Sequence, residues 1–217
     1  MSQYIKKLIE AGEGLYLDFK YELSDAKKIA RTISAFANTK GGKLLVGVKD
    51  NGKITGISSD EEYYMVESAA HIFCRPAVTF KVEDWNVDDK TVLEVVIKES
   101  NKKPHFAPDK DGKWVAWIRI NDKTMLANDV MVEVWKNKFK YKKRGLLIKY
   151  SKYETILIEY LNLHDNISLA EYSKLCHLTH KESVNILAGL ITIGVVEIDY
   201  MNNQYYYKLS QDFSDTD

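Results

Sequence analysis

Residues 34–52 of the chain run SAFANTKGGKLLVGVKDNG. The segment starts with a helical pattern, breaks at residues 38–42 and continues as an apolar strand that stops at the turn Asp50-Asn51-Gly52. Glycines at such a junction let the backbone turn sharply and let a second group approach it closely. We therefore expect free backbone N–H groups at the break and a carboxylate, Asp50, at the rim of a sheet.

The pattern on both sides of this segment predicts an α+β domain with a mixed sheet. Residues 44–48 are almost wholly apolar, which is typical of an interior strand that is covered on both faces. In the other segments, apolar residues that recur about every 3.6 positions predict helices, and apolar residues at every second position predict strands. The predicted helices are 3–11, one capped by Ser24, 60–73 and one running from Asn128 to 138; the predicted strands are 15–21, 54–57, 77–84, 91–98 and 114–120; residues 101–112 are predicted as a loop.

A second module follows the basic residues after 138. Residues 153–163 form a predicted helix, Ser168 and Thr179 are N-cap residues for two more, and residues 195–200 and 204–209 form a predicted hairpin. Three helices followed by a hairpin is the order of a winged helix-turn-helix. The predicted organisation is a domain at 1–138, a basic linker at 139–152 and a small winged helix-turn-helix domain at 153–217.

The charges are unevenly distributed although the net charge of the 217 residues is zero. Eight basic and no acidic residues lie between 136 and 152, whereas three basic and ten acidic residues follow from 153 to the end. The basic stretch is either a solvated linker or a phosphate-contacting segment. Its residues that we consider for phosphate contact are Lys136, Lys138, Lys140, Lys142, Lys143 and Arg144.

Cysteine use and hydropathy favour a cytoplasmic protein without a membrane partner. Cys74 and Cys176 lack the spacing of a metal site or a redox pair, so both are predicted to be buried free thiols in a reducing compartment. Residues 1–20 do not have the pattern of a signal peptide. No stretch reaches the roughly 18 apolar residues that a membrane span needs.

Two groups of residues together resemble one known family. Glu13 precedes Asp18-Phe19-Lys20 by five positions, and residues 35–56 run AFANTKGGKLLVGVKDNGKITG. This pattern resembles the Schlafen AlbA-like domain over residues 4–130. The elements Lys103-Pro104-His105 and Ile118-Arg119-Ile120-Asn121 resemble later parts of the family pattern, with Asn121 in place of the usual Gly and Asp18 in place of the usual Glu.

The resemblance implies a domain that binds nucleic acid. Bacterial members often carry a winged helix after it and are described as transcriptional regulators, so we expect DNA rather than RNA as the partner, and a homodimer. In some Schlafen members a carboxylate triad cuts RNA. The matching residues here are Glu13, Asp18 and Asp50, which would hold Mg²⁺ or Mn²⁺ while Lys20 offsets charge on the phosphorane.

The glycine junction has a second interpretation as a phosphate cradle. Backbone N–H groups and lysines can hold phosphate where a helix ends in glycines, although a simple helix stop before a buried strand explains the same residues. A Walker loop is absent, so ATP is not expected, and no cofactor is certain. The candidate phosphate-binding residues are Asn38, Thr39, Lys40, Gly41, Gly42 and Lys43, with Arg119 added by the resemblance.

Three hypotheses on function therefore stay open. The first is a DNA-binding transcriptional regulator, the second a metal-dependent endoribonuclease, and the third a non-catalytic interaction module that dimerises. The acidic second module favours the third, because a phosphate backbone repels it and its predicted recognition helix from His180 contains no arginine.

Overall fold

A four-stranded mixed sheet organises the first of two units, Met1–Ala127 and Asn128–Asp217. The computed structural model describes residues 2–57, 60–141 and 151–214. The strands are β1 (Leu17–Lys20), β2 (Gly42–Val46), β3 (Phe80–Val87) and β4 (Lys90–Ile97), arranged in the order β1-β2-β4-β3. β1 is parallel to β2, and the other two pairs are antiparallel, so the predicted mixed sheet is confirmed.

The interior strand β2 is covered on both faces, as its apolar sequence predicts. Leu44 and Val46 pack in a core cluster with the helices α2 (Ala26–Asn38) and α3 (Glu61–His71). Leu45 faces the other side and packs with Ile5 of helix α1 (Ser2–Ala11) in a separate cluster. Alternate side chains of one strand therefore serve two cores, which fixes the register of β2.

A second, three-stranded sheet packs against α2. It consists of β5 (Phe106–Pro108), β6 (Trp114–Ile120) and β7 (Lys123–Leu126), all antiparallel. The sequence predicts β6 with these bounds but assigns residues 101–112 to a loop and does not predict β7. Strands of three and four residues, one ending in proline and one beginning with Lys123, are too short to show a period of two.

Helix α2 begins one residue later than predicted. Asp25 is its N-cap residue, because its carboxylate accepts hydrogen bonds from the N–H groups of Lys27 at 2.9 Å and Lys28 at 3.3 Å. The prediction that Ser24 caps this helix is wrong. The two residue types are equally common N-caps, so the sequence alone does not choose between neighbours.

The second unit contains the predicted helices and hairpin in the predicted order. Its elements are α4 (Asp129–Tyr141), α5 (Lys152–Leu163), α6 (Leu169–Cys176), α7 (His180–Thr192), β8 (Val196–Met201), β9 (Gln204–Leu209) and α8 (Gln211–Ser214). Ser168 and Thr179 cap α6 and α7, each in a capping box with a glutamate three residues later. These local signals explain why the element bounds are predicted so closely here.

Helix α4 belongs to the second unit, whereas the sequence analysis places it in the first domain. Val130 and Val134 pack in the core of the second unit beside Leu187 and Tyr207. Asn128 accepts a hydrogen bond from the Met131 N–H at 2.8 Å, which confirms its predicted capping role. The candidate residues Lys142, Lys143 and Arg144 lie outside the described residues.

Both cysteines are free and buried, as predicted. Burial raises the pKa of the Cys74 thiol to about 12, which leaves it unreactive at neutral pH. Within the described ranges, the helices are too short or too polar to cross a bilayer.

Replacing Gly42 by alanine is expected to lower the free energy of unfolding of the first unit by about 1–3 kcal/mol, since overpacking a core has that cost. A Cβ atom at Gly42 would lie 2.3 Å from Cδ1 of the buried Phe36 ring. Gly14 is the matched control, because a Cβ there meets nothing within 4 Å, and Gly14→Ala is expected to stay within about 0.5 kcal/mol. Urea unfolding of both variants measures the difference, and equal midpoints would contradict the packing role of Gly42.

Candidate functional site

A tight turn before β1 positions the first candidate carboxylate. The Gly14 N–H donates to the Leu17 carbonyl at 2.9 Å and closes the turn. The Glu13 carboxylate then accepts a hydrogen bond from the Phe19 N–H at 2.7 Å. Glu13 is thereby tied to the strand that carries Asp18, which explains the five-residue spacing between the two acids.

Asp18 is buried, and its carboxylate forms ion pairs with two basic side chains. Its Oδ1 accepts a hydrogen bond from Arg119 Nη1 at 2.9 Å. The Lys20 Nζ lies 2.6 Å from Oδ2 as an ion pair, which places Lys20 on the same face as Asp18, as expected from strand alternation. This pair lacks hydrogen-bond geometry, so Oδ2 accepts no hydrogen bond from the described residues, while Lys20 donates instead to the Phe19 carbonyl.

Arg119 is a structural residue inside the unit. Its side chain is 1% exposed, and its Nη2 donates to the Gly14 carbonyl at 2.7 Å while its guanidinium lies over the Phe36 ring. Together with the Asp18 pair, these contacts join the first turn, α2 and β6. The expectation that Arg119 contacts phosphate does not hold in this structure, because the guanidinium is enclosed by protein groups.

Asp50 lies in the exposed turn after β2, at the rim expected from the sequence. The charges of Asp18 and Asp50 both act on the carboxyl group of Glu13. Burial raises the pKa of Glu13 from its ordinary value, and the negative charges of Asp18 and Asp50 raise it further, while the Phe19 N–H and Lys20 oppose the rise. Asp18 and Asp50 therefore both lie within electrostatic reach of Glu13.

This arrangement does not fit a metal centre made of three carboxylates. Across residues 2–57, 60–141 and 151–214, no group of three His, Cys, Asp or Glu side chains is placed to hold a metal ion. Asp18 is already neutralised by Arg119 and Lys20, and Glu13 is bonded to the backbone. The endoribonuclease hypothesis therefore stays a prediction from the resemblance, and we derive no step through a metal.

The glycine junction uses its own N–H groups internally. The N–H of Thr39 donates to the Ala35 carbonyl at 3.0 Å, that of Gly41 to the Phe36 carbonyl at 2.9 Å, and that of Lys43 to the Tyr16 carbonyl at 2.8 Å. The expectation of free N–H groups is wrong at these three positions. The end of α2 closes on itself through Thr39 and Gly41, and the Lys43 N–H of β2 bonds the residue before β1, so these donors are unavailable to a phosphate.

Asn38 connects the end of α2 to two other segments. Its Nδ2 donates to the carbonyls of His105 at 2.7 Å and Trp117 at 2.9 Å, and its Oδ1 accepts from the His105 N–H at 2.7 Å. Asn38 is 2% exposed. The side chain thus acts as a buried connector and not as a ligand for phosphate, which also explains why His105 belongs to the same sequence pattern.

The glycines and Lys43 have packing roles as well. Gly41 has φ +74° and a Cβ there would lie 2.7 Å from the Ile97 carbonyl oxygen, so only glycine fits between α2 and β4. Lys43 pairs with the buried Glu94 at 2.8 Å and bonds the Tyr4 hydroxyl. Of the junction residues proposed for phosphate, Lys40 is exposed.

Exposed lysine and tyrosine side chains near Asp50 were not predicted from the sequence. Tyr21 follows β1, and its ring lies 4.9 Å from the Lys49 Nζ. The Gly47 N–H donates to the Lys20 carbonyl at 2.8 Å, so the carboxyl ends of the parallel strands β1 and β2 meet here. Tyr21 is 49% exposed. The sequence carries no local signal for this proximity, because it results from the parallel pairing of β1 and β2, which places the residues after one strand beside those after the other.

A protein-family model matches the segment that contains these residues. The family model described as Schlafen, AlbA_2 matches residues 13–128, from the turn that holds Glu13 to the end of the first unit. The chain belongs to this family. We refer below to the first unit as the AlbA_2 unit, and the match includes Asp18, Arg119, Asn38 and the glycine junction.

Two solved structures are similar to this chain at low identity. One is the crystal structure of the DIP2311 protein from Corynebacterium diphtheriae, with 18% identity and a TM-score of 0.46 over 91% of this chain and 34% of that protein. The other is the solution structure of the N-terminal domain of a putative ATP-dependent DNA helicase RecG-related protein from Nitrosomonas europaea, with 20% identity and a TM-score of 0.40 over 69% of this chain and 95% of that domain. The chain thus spans about a third of the length of the DIP2311 protein.

The raised pKa of Glu13 predicts a specific pH dependence of stability. Because the folded state holds this proton more tightly than the unfolded state, ionisation of Glu13 lowers the free energy of unfolding as the pH rises above the ordinary value of 4.5. Glu13→Gln keeps an acceptor for the Phe19 N–H and removes this loss. We expect the variant to gain stability relative to the natural chain between pH 4 and 7.

Urea unfolding at several pH values measures this difference. Glu22→Gln, at an exposed position, corrects for the general effect of removing one negative charge. A difference between Glu13→Gln and the natural chain that shrinks as the pH rises would contradict the assigned direction.

Proposed function

We propose that this chain binds nucleic acid and acts as a DNA-binding transcriptional regulator. The observation that carries the proposal is the AlbA_2 match over residues 13–128, because domains of the kind it resembles bind nucleic acid. The buried positions of Asp18, Asn38 and Arg119 give the pattern a structural role. Binding is therefore assigned to exposed side chains around that framework.

The surface that we propose for phosphate contact lies at the carboxyl ends of β1 and β2. It contains Lys20, Tyr21, Lys49 and Lys53, whose side chains are exposed or partly exposed. Lysines at such a surface neutralise phosphates and release counterions, while an exposed tyrosine ring offers a stacking face. The coupled acids Glu13 and Asp50 border this surface and would disfavour phosphate directly above them.

The second unit supports the choice of DNA. Its helices α5 to α7 and its hairpin follow the order of a winged helix, in which the third helix enters the major groove. Lys181 and Asn185 are exposed and lie four residues apart on α7, and asparagine can pair with the edge of adenine. Lys136, Lys138 and Lys140 in the last turns of α4 are exposed and are the proposed backbone contacts.

A salt-dependent binding titration tests the proposal. We expect the full chain to bind a labelled 20-base-pair duplex, with an affinity that falls steadily between about 50 and 200 mM salt because phosphate contacts release counterions. Single-stranded DNA and single-stranded RNA of the same sequence serve as competitors. Absence of binding at the lowest salt would contradict nucleic-acid binding, and tighter binding of RNA would contradict the choice of DNA.

The proposal includes a homodimer that presents two copies of α7 to two half-sites. Such sites are separated by about one helical turn of DNA, or roughly 34 Å, in winged-helix dimers. Light scattering of the protein on a duplex measures the stoichiometry. A one-to-one complex on a palindromic site at saturating protein would contradict the dimer.

A further inference from the structure

The edge strand β3 of the AlbA_2 unit has the features of a peptide-binding edge. Among the described residues it has a hydrogen-bonded neighbour, β4, on one side only, and it is paired with that neighbour along all eight residues. The outer edge of such a strand presents a row of backbone N–H and C=O groups that a further strand can pair with.

Two cavities follow one face of this strand. The first, of about 330 Å³, is lined by Tyr63, Glu67, His71, Thr79, Phe80 and Val82. The second, of about 350 Å³, is lined by Ile57, Asp60, Tyr63, Tyr64, Val82, Asp84 and Leu93. Tyr63 and Val82 line both, so the cavities are neighbours. Phe80, Val82 and Asp84 alternate along β3, which spaces these positions about 7 Å apart, the repeat of side chains on one face of an added strand.

The chemistry of the cavities is aromatic and acidic. Tyr63 lies 6.5 Å from Phe80 and 5.8 Å from Tyr64 between ring centroids, and Tyr64 is 64% exposed. The carboxylates of Glu67 and Asp84 line the first and second cavity respectively, and neither cavity is lined by a lysine or arginine among the described residues. An aromatic wall with a carboxylate fits the guanidinium of arginine, which stacks on rings and pairs with carboxylates.

The opposite face of β3 is occupied by the protein itself. Trp85 packs against Tyr4 of α1 with ring centroids 5.0 Å apart, and Val87 belongs to the core beneath α1. A partner strand at this edge would therefore direct alternate side chains toward the two cavities on the α3 face.

We propose that β3 accepts an extended peptide segment as an additional strand, and that the segment carries arginines at two alternate positions, Arg-x-Arg, which enter the two cavities. The occupant is a basic peptide because the charged residues that line both cavities are acidic. This interaction is separate from the proposed nucleic-acid surface, and it does not depend on that function.

A synthetic peptide, Val-Thr-Arg-Val-Arg-Thr-Val with a fluorescent label, tests the proposal on the full chain. We expect measurable binding of this peptide. The affinity should fall at least tenfold when both arginines are replaced by glutamate, and by a similar factor in a peptide whose two arginines are neighbours in the sequence. N-methylation of alternate backbone nitrogens should also abolish binding, because it removes the strand hydrogen bonds. Equal binding of the N-methylated peptide would overturn strand addition.

Matched protein variants locate the site. Glu67→Lys combined with Asp84→Lys should lower the affinity for the peptide at least tenfold, whereas Glu83→Lys, on the opposite face of the same strand, should change it less than threefold. A thermal scan confirms that the variants fold. Hydrogen exchange should show added protection of the β3 amides with bound peptide. Binding that leaves these amides unprotected, unaltered binding by the double variant, or no binding by the natural chain would each overturn the proposal.

Discussion

Arg119→Ala is expected to lower the free energy of unfolding of the AlbA_2 unit by about 3–5 kcal/mol, the usual effect of removing one partner of a buried ion pair. The substitution leaves the carboxylate of Asp18, whose side chain is 7% exposed, with the partly exposed Lys20 as its remaining cation. It also leaves the Gly14 carbonyl without its donor and removes the cation that lies over Phe36. The turn that holds Glu13 should then lose its connection to β6.

Urea unfolding with a probe in the AlbA_2 unit measures this effect. Arg75→Ala is the control, since Arg75 is an exposed arginine that stacks on Trp114 and should contribute about 1 kcal/mol or less. Removing both charges, with Asp18→Leu and Arg119→Met together, should restore much of the loss, because no unpaired buried charge remains. A loss below about 1 kcal/mol for Arg119→Ala would contradict the central role of this pair.

Asn38→Ala is expected to lower the free energy of unfolding by about 2–4 kcal/mol. Each buried polar group left without a partner costs about 1–3 kcal/mol, and water can hydrogen-bond some of these groups in the variant. The change leaves the His105 N–H and the carbonyls of His105 and Trp117 without their partner. Asn38→Asp tests the same contacts differently. It keeps the acceptor but turns a carboxylate toward two carbonyl oxygens, so it should destabilise at least as much at neutral pH.

The control for Asn38 is Asn51→Ala in the exposed turn after β2. The Asn51 side chain accepts a hydrogen bond from the Lys53 N–H at 3.1 Å, and the loss of this bond should lower the free energy of unfolding by about 1 kcal/mol or less. A phosphate cradle makes the opposite prediction for Asn38. If Asn38→Ala folds normally and loses affinity for nucleic acid alone, the connector role is wrong.

Local signals in the sequence predict much of the fold. The apolar strand β2, the helix caps at Ser168 and Thr179 and the bounds of β6 each depend on neighbouring residues, and each is found in the structure. The short strands β5 and β7 are not predicted, because their position depends on pairing with β6 and not on their own pattern.

At the candidate site, the sequence pattern does not distinguish residues that bind a ligand from residues that hold the fold together. The sequence predicts a catalytic role for Asp18 and phosphate binding for Asn38 and Arg119, yet all three are buried and bonded to protein groups. Asp18 and Arg119 are 101 positions apart, so no spacing rule predicts that they pair. A carboxylate that lies next to a nucleic-acid surface and one that holds the fold together have the same sequence signature. Burial and partners distinguish them, and both depend on the tertiary structure.

The most direct test of nucleic-acid binding by the AlbA_2 unit is the salt dependence of affinity for a duplex, compared between the natural chain and Lys49→Ala/Lys53→Ala. Both lysines are exposed beside the carboxyl end of β2. The control, Lys110→Ala/Lys113→Ala, removes the same charge from the exposed turn between β5 and β6. If both lysines contact phosphate, the slope of log K against log salt should become shallower by about 1.8 in the first variant, at about 0.9 per phosphate, and stay unchanged in the control. Equal slopes for all three proteins would contradict the proposed surface.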